Sequence, residues 1–447
     1  MERTGSIDKK TSLFMLTWPI FIELVLQILV NNVDQIMISR VSENAVAAIG
    51  NVNQIMNVLV ITFSVVTMAA TILVSQYLGS KRYNKISEIY SVAVFSNLAF
   101  SIVISIFLFL FSDSIFALIK LPMELLADAK LYMNIIGGGI FLQGNFMTYA
   151  AIFRSNGLMK QGMYISAMVN LINILGNFIL IYGMFGLPKL GIAGVAISSV
   201  VSRLIGVIVI IYMFKKKIKG NVSMKYMFPF PKTTFRRLMV IGLPAGGESI
   251  SYNASQMVIL TFVNMMGTNI VKVRSYVTIL AWFTYMFASA VSQANQIRVG
   301  YLMGAGEEEE ASKMVLGTLK PAVISSIIIA ALLFLFSDSL LGIFTSNKEV
   351  LQLGKLVLFI DIFLEIGRAF NMVLVRGMQA AGDIKFPIFI GILSMWIIAT
   401  FLAYIFGIGL GWGIAGVWIA MMLDECIRAV IFYIRWKKGT WRNKALI

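Results

Sequence analysis

The chain of 447 residues is too apolar and too sparsely charged to be a soluble protein. Hydrophobic residues make up 59% of it and charged residues 13%, and the mean hydropathy is +0.85, whereas soluble domains carry about a quarter charged residues. The composition predicts an integral membrane protein. The net charge of +16 does not indicate nucleic-acid binding, because the basic residues gather in short loops on one side of the membrane, as the positive-inside rule describes.

Histidine is absent, and Cys426 is the single cysteine. These two facts exclude a disulfide framework, a CxxC metal site and a histidine-based zinc or haem site. We expect no cofactor and no enzymatic activity, since no nucleophile or metal constellation is present. Any proton coupling must use carboxylates, because the side chain that usually titrates near neutral pH is missing.

Apolar stretches long enough to cross a bilayer recur about twelve times. The predicted helices cover 13–39, 50–78, 86–112, 122–153, 160–183 and 190–214, then 235–264, 270–303, 310–336, 347–378, 384–408 and 412–434. The loops rich in lysine and arginine alternate with poorer ones. This asymmetry predicts a multi-pass protein of the cell membrane with both termini in the cytoplasm.

The longest polar stretch, 215–237, lies midway along the chain. Its Pro229 and Pro231 break any helix, so we predict a cytoplasmic linker at 218–234. The linker separates an N-terminal lobe, 1–217, from a C-terminal lobe, 235–447, with six helices each. The basic residues of this stretch are also compatible with binding anionic lipid.

The two lobes repeat one another in sequence. The motif FLFSDS occurs at Phe109 and again at Phe334, 225 positions later, and the motif GIAGVAIS at 191–198 returns as GIAGVWIA at 413–420. With six helices in each lobe, the second lobe starts on the same side as the first, so the repeats are parallel. In transporters such symmetry places a binding cavity near the membrane midplane between the lobes.

The first predicted helix carries polar residues on one face. They are Glu23, Gln27, Asn31 and Asp34. A carboxylate near the bilayer centre costs about 2.5–3.5 kcal/mol even on the mild insertion scale. The polar face therefore indicates an ion, proton or substrate path in a protein-lined or watery cavity. The alternative is that these acids pair with neighbouring helices for packing.

Further polar side chains lie within other predicted helices. The seventh helix has Glu248, Ser251, Tyr252 and Ser255 on one face; the tenth has Asp361, Glu365 and Arg368; the twelfth has Asp424, Glu425 and Arg428. Arg368 is spaced to pair with Glu365, so a structural ion pair is the alternative there. We predict a structural pair in the twelfth helix.

The fifth predicted helix contains Asn173 and Asn177, spaced i and i+4. Such spacing directs two amides to one point. A hard cation such as Na⁺ prefers oxygen ligands, one of them charged, so Asp34 with the amide oxygens of Asn173 and Asn177 would suit Na⁺ or a bound proton. Hydrogen bonding between helices is the alternative.

Over nearly its full length the chain resembles the MATE family of multidrug and toxin extrusion antiporters. The resemblance rests on Pro19, Glu23 and Asp34 in the first helix, and on QYLGSKRYNK after the second. It also rests on RSNGLMKQG, NLINILGNFILIYG, GIAGVAIS and VRGMQAAGD. It implies an all-α membrane fold of twelve helices in two lobes around a V-shaped cleft, with efflux of organic cations driven by Na⁺ or protons.

The resemblance also implies roles for individual residues. Asp34 stands in the place of the coupling aspartate, with Asn173 and Asn177 beside it, and Pro19 matches a proline associated with bending of the first helix. Glu365 matches an acid of the second lobe. The chain departs from the family at Tyr252, where members with a second-lobe cation site tend to carry an acid.

We therefore predict a cation-coupled antiporter that exports amphipathic, mostly cationic compounds and works as a monomer in lipid. Asp34, Asn173 and Asn177 would bind the coupling ion, while Glu23 and Glu248, with Glu365, would give the cleft a negative potential. Gln27, Asn31, Tyr252 and Asp361 would complete the polar lining. The alternative is a flippase for lipid-linked oligosaccharide or lipid II, kept open by Arg203, Arg298 and Arg368. A channel would not need two repeated lobes.

Overall fold

The computed structural model describes residues 12–40 and 42–447, and for Asn31 it describes the backbone alone. Within these ranges the chain forms helices and no β-strand. This confirms the predicted all-α architecture. Predicted and observed helices overlap along the chain, with ends that differ by up to seven residues, as where 50–78 was predicted and the helix is Glu43–Gly79.

The first half of the chain contains seven α-helices within the described residues. They are α1 (Leu13–Ser39), α2 (Glu43–Gly79), α3 (Tyr83–Leu118), α4 (Met123–Gly138), α5 (Ile140–Ser155), α6 (Met159–Tyr182) and α7 (Gly191–Lys217). The single helix predicted at 122–153 is in fact α4 and α5, which meet at a bend of 45°. A Cβ at Gly139 would come within 2.7 Å of Val200 Cγ2, so glycine permits the close approach of α7 at the bend.

The second half contains eight α-helices. They are α8 (Lys232–Met265), α9 (Thr268–Gly304), α10 (Glu308–Leu335), α11 (Ser337–Gly342), α12 (Lys348–Ala381), α13 (Lys385–Ser394), α14 (Phe401–Tyr404) and α15 (Gly413–Lys437). The π-helical segments Met395–Thr400 and Ile405–Gly409 join α13 and α14 into one run. This run replaces the uniform helix predicted at 384–408.

In the described part of the chain, eight helices are long and apolar enough to cross a membrane, and nine if α4 and α5 form one bent span. Helices α8, α12 and α15 are equally long but are interrupted by charged residues. These three helices carry most of the polar residues that the sequence singled out in the second lobe. The chain is therefore a multi-pass membrane protein with charged side chains inside its helical bundle.

The chain divides into two compact units. One comprises Ile22–Gly246, and the other comprises Gly247–Ile447 together with the described residues up to Phe21. This division differs from the predicted boundary at 218–234. The linker and the first third of α8 belong to the first unit because they pack on it: a Cβ at Gly242 would lie 2.2 Å from the carbonyl oxygen of Val65.

Both changes of unit occur inside a helix and just after a proline. Helix α1 contains Pro19 and changes unit after Phe21, and α8 contains Pro244 and changes unit after Gly246. Proline removes one backbone hydrogen bond of a helix and clashes with the preceding turn. Each half of the chain thus has a weakened helical position two residues before its helix passes from one unit to the other.

Candidate functional site

Asp34 of α1 lies against two asparagines of α6. Asn177 Nδ2 donates a hydrogen bond to Asp34 Oδ1 at 2.5 Å. The Asn173 amide, with its nitrogen turned toward α1, donates to the same oxygen at 3.0 Å, and its Oδ1 then accepts from Ser199 Oγ of α7 at 3.0 Å. Both asparagines are buried. The structure thus brings together the three residues that the sequence proposed as an ion site.

Two further polar side chains, Arg203 and Tyr132, lie near this carboxylate. Arg203 of α7 lies within electrostatic range of both Asp34 and Tyr132, and the Tyr132 hydroxyl donates to Asn53 Oδ1 at 3.5 Å. The positive charge of Arg203 stabilises the ionised form of Asp34 in this low-dielectric setting. Nothing in the sequence connects Arg203 with Asp34, because 169 positions separate them.

The chemistry of these residues fits a small hard cation, and their present arrangement, with two N–H donors on Asp34, suits the ionised carboxylate. One carboxylate and two amide groups are the kind of ligands that Na⁺ takes, but both amides can present nitrogen to Asp34. Asn177 Oδ1 is buried and has no hydrogen-bond partner in the described structure. Rotation of that amide would direct an acceptor oxygen at a protonated Asp34 or at a bound cation, so the unpaired oxygen is suited to a neutralised carboxylate.

The second acid of α1, Glu23, is paired. Arg154 Nη1 of α5 lies 3.3 and 3.4 Å from the two carboxylate oxygens of Glu23, and Ser166 Oγ of α6 donates to Oε1 at 3.2 Å. Gln27 is exposed, and the side chain of Asn31 lies outside the described structure. Glu23 and Asp34 therefore both face α6, which accounts for the two acids on the polar face of α1.

We expect Glu23 and Arg154 to be energetically coupled. Their side chains are only 18% and 22% exposed, so removal of either charge leaves the other poorly solvated. A double-mutant cycle with Glu23→Gln and Arg154→Gln should give an interaction energy of about 1 kcal/mol in the free energy of unfolding, within the 0.5–3 kcal/mol typical of contacting residues.

The same cycle with Glu310→Gln and Lys313→Gln, an exposed pair, is the control and should give less than about 0.5 kcal/mol. Additive single effects at Glu23 and Arg154 would show that the ion pair does not hold α1. In that case the alternative role of Glu23, a contribution to the negative potential of a cleft, would gain support.

In the second unit, buried acids converge on Arg368 of α12. Its guanidinium forms an ion pair with Glu365 on the same helix, and its Nε lies 3.7 Å from Glu425 Oε1 of α15. Trp418 Nε1 donates to Asp361 Oδ1 at 3.1 Å. One oxygen of Asp361 and one of Glu365 have no hydrogen-bond partner among the described residues. Arg368 thus pairs with Glu365, as its spacing in the sequence allowed.

Arg428 of α15 forms ion pairs with further acids of this network. Its Nη2 lies 2.6 Å from Asp424 Oδ2 and 3.1 Å from Glu425 Oε2. Asn371 Nδ2 of α12 also donates to Glu425 Oε2, at 2.6 Å, and Ser394 donates to Asp424. Arg428 thus pairs with the two acids of its own helix, as the sequence predicted, and Asn371 links this network to α12.

Helix α8 contributes Glu248 and Tyr252 to the same unit. Glu248 lies within electrostatic range of Arg376 and Arg428, and Tyr252 within that of Arg368 and Glu425. The repeat in the sequence has a structural counterpart here. The glutamate four residues after the helix proline lies near an equivalent arginine in each unit: Glu23 forms an ion pair with Arg154, and Glu248 lies within electrostatic range of Arg376.

Sequence reasoning missed several members of both sites. Ser166, Ser199, Asn371, Ser394 and Trp418 all donate to or accept from the acids or the asparagines. Small hydroxyl residues are common in membrane helices, and nothing in their spacing marks a partner on another helix. The position of Arg154, at the same offset in the repeat as Arg376, was the one signal that could have paired it with a repeated glutamate.

Comparison with known proteins agrees with this fold. The MatE family model matches residues 19–179 and 244–405. The uncharacterized transporter YisQ of Bacillus subtilis is 38% identical over 439 residues, which cover 98% of this chain and 96% of YisQ. The probable multidrug resistance protein NorM of Thermotoga maritima is 22% identical over 450 residues, or 100% of this chain and 96% of NorM.

The fold is also that of solved MATE structures. The crystal structure of a mutant of the Vibrio cholerae MATE transporter VcmN superposes with a TM-score of 0.90 at 18% identity, over 97% of this chain and 98% of that one. The family model matches both halves of the chain, in accordance with the internal repeat. The chain belongs to the MatE family and is a membrane transporter.

Proposed function

We propose that this transporter is a cation-coupled antiporter of the cytoplasmic membrane that exports amphipathic, mostly cationic compounds. The observation that carries the proposal is Asp34, a carboxylate within a membrane-spanning helix whose hydrogen-bond donors are the amides of Asn177 and Asn173. Relatives named as multidrug resistance proteins support the substrate class. Both termini would lie in the cytoplasm, and the protein would work as a monomer.

Coupling requires that the ion bind one conformation more tightly than the other. With Asp34 ionised, two amide N–H groups and the field of Arg203 stabilise the charge, and these contacts hold α1 against α6. Neutralisation of Asp34 by a proton or by Na⁺ would weaken those N–H contacts and turn the Asn177 oxygen toward the bound ion. The preference of α1 for α6 would then change with ion binding, which is the property that a coupling site needs.

The hinge for this movement would be Pro19. The helix passes from one unit to the other two residues later, so a change in the packing of the segment after Phe21 can be accommodated by bending at the proline. We expect the two lobes to move as rigid bodies around such hinges.

Among the coupling ions, the arrangement at Asp34 favours the proton. The two amides present N–H donors to the carboxylate, and Na⁺ would need both to reverse. In the described residues no group of three His, Cys, Asp or Glu side chains is placed to hold a metal ion, so Na⁺ would depend on amide oxygens. Both ions remain within the proposal, and the gradient experiment separates them.

The flippase alternative requires arginines that are free to bind an anionic cargo. Arg203 instead lies near Asp34, and Arg368 is bound to Glu365 and Glu425. Because these two arginines act as counter-ions of buried acids, they offer little positive potential to a pyrophosphate or oligosaccharide-linked lipid. These pairings favour the antiporter.

The test is transport by the purified protein in vesicles loaded with a fluorescent lipophilic cation. A proton gradient and a Na⁺ gradient of equal size are imposed in separate experiments, with protein-free vesicles as the control. We expect dye movement against its own gradient under the proton gradient. Movement under Na⁺ alone would name Na⁺ as the coupling ion, and no movement under either gradient would contradict antiport.

A further inference from the structure

The segment between α7 and α8 is fixed to the first unit by hydrogen bonds. The backbone N–H groups of Asn221 and Ser223 donate to Ser87 Oγ at 3.1 Å and to Ser91 Oγ at 3.0 Å on α3. Gly220 has φ +117, and a Cβ at this position would lie 3.1 Å from Tyr90 Cε2. Glycine supports this backbone conformation without strain. The segment is therefore a docked surface element and not a loose tether.

The docked segment exposes large apolar side chains. Phe228 is 74% exposed and Phe230 46% exposed. Together with Lys225 and Lys232 they line an open groove of about 470 Å³, which we call the linker groove. The groove lies between the last residue of α7, Lys217, and the start of α8, at the ends of two long membrane helices. Aromatic and lysine side chains near the end of a membrane-spanning helix such as α7 are typical of the membrane interface.

The charge around the linker groove is strongly positive. Residues 215–237 include eight lysines and arginines and no acid. The groove has one acidic lining residue, Glu88, which accepts hydrogen bonds from Lys85 and Thr234. Lys225 and Lys232 form no ion pair within the described structure, so both ammonium groups are free to bind an external anion.

We propose that the linker groove binds the headgroup of an anionic phospholipid of the adjacent leaflet. Lys225 and Lys232 would contact the lipid phosphate, while Phe228 and Phe230 would insert beside the acyl chains. The aromatic side chains decide between lipid and free phosphate, because a phosphate ion would leave both rings in water. Such an anchor would hold the first unit at a fixed depth in the membrane. The anchoring segment contributes no residue to the proposed transport site.

The experiment uses the full-length protein in nanodiscs and relies on its single cysteine. In a Cys426→Ser background, Phe228→Cys carries an environment-sensitive fluorophore, and Thr440→Cys, also exposed, carries the same label as a control. Nitroxide groups at the upper acyl chain of tracer lipids quench a label that lies in the interface. We expect quenching at position 228 to increase with the fraction of phosphatidylglycerol, and quenching at position 440 to remain low.

A second variant tests the headgroup contact. Lys225→Gln with Lys232→Gln should weaken the binding of phosphatidylglycerol by about fivefold for each lysine removed, so that half-maximal quenching at position 228 requires a higher phosphatidylglycerol fraction. Lys437→Gln with Lys438→Gln removes equal charge from another basic segment and should leave that fraction unchanged.

Three results would overturn the proposal. An unquenched label at position 228 would show that the groove faces water, where an acidic soluble partner would be its ligand. Equal quenching in phosphatidylcholine would reduce the contact to apolar insertion without headgroup recognition. An equal shift in both lysine variants would show a general effect of charge, with no binding in the groove.

Discussion

Replacement of Asp34 by asparagine is expected to abolish gradient-driven efflux, reducing it to the level of protein-free vesicles. The variant cannot change its charge, so neither a proton nor Na⁺ can alter the contact of α1 with Asn177 and Asn173. An asparagine at this position still accepts a hydrogen bond from Asn177, and the fold should be retained. The measurement is dye efflux under an imposed gradient, with binding of the same dye measured without a gradient.

Asp113→Asn provides a matched control, because Asp113 is a 72% exposed acid of α3 paired with Lys130. This control should transport at the wild-type rate. Asp34→Asn should bind the dye but fail to move it, which separates coupling from recognition. If Asp34→Asn transported normally with an intact gradient dependence, coupling would have to reside elsewhere, and the buried acids of the second unit would be the next candidates.

Replacement of Arg368 by methionine is expected to destabilise the second unit strongly. Glu365 is fully buried and Glu425 nearly so, and both would lose the guanidinium between them. Breaking a buried ion pair by removing one partner costs about 3–5 kcal/mol. The free energy of unfolding, measured by denaturant titration in detergent micelles, should fall by this amount.

Two further variants define the origin of that loss. Lys313→Met removes an exposed partner of Glu310 and should change the free energy of unfolding by less than about 1 kcal/mol. Arg368→Met combined with Glu365→Gln should recover part of the loss, because one unpaired carboxylate is removed with the guanidinium. If Arg368→Met had the stability of the wild type, the ion pair with Glu365 would have no structural role. That result would imply that the buried carboxyl groups are protonated when the arginine is absent.

The sequence predicts a membrane protein and its helical segments, because few backbone conformations are stable in hydrocarbon. Every spanning segment must satisfy its own N–H and C=O groups, so apolar length alone predicts a helix. The exceptions were local. The bend between α4 and α5 depends on the approach of Val200 to Gly139, and the π-helical turns after Ser394 have no mark in the apolar pattern.

The polar face of α1 was also predictable. Helical periodicity places its residues on one side of the helix, and the desolvation cost of carboxylates shows that the two acids need polar partners. Asp34, Asn173 and Asn177 were proposed together partly from the family resemblance, and the structure places them in contact. Their role in coupling stays a prediction.

The sequence shows that acids lie inside the membrane, but which of them have a counter-charge depends on the packing of the helices. Glu23 meets Arg154 from 131 positions away, and Glu425 meets Arg368 from another helix. Such pairs depend on how the helices pack against one another. The periodicity of residues along the sequence does not show that packing. Asp34 differs because its nearest hydrogen-bond donors are neutral amides. Its charge is therefore the one in α1 that a transported ion can neutralise without first breaking an ion pair.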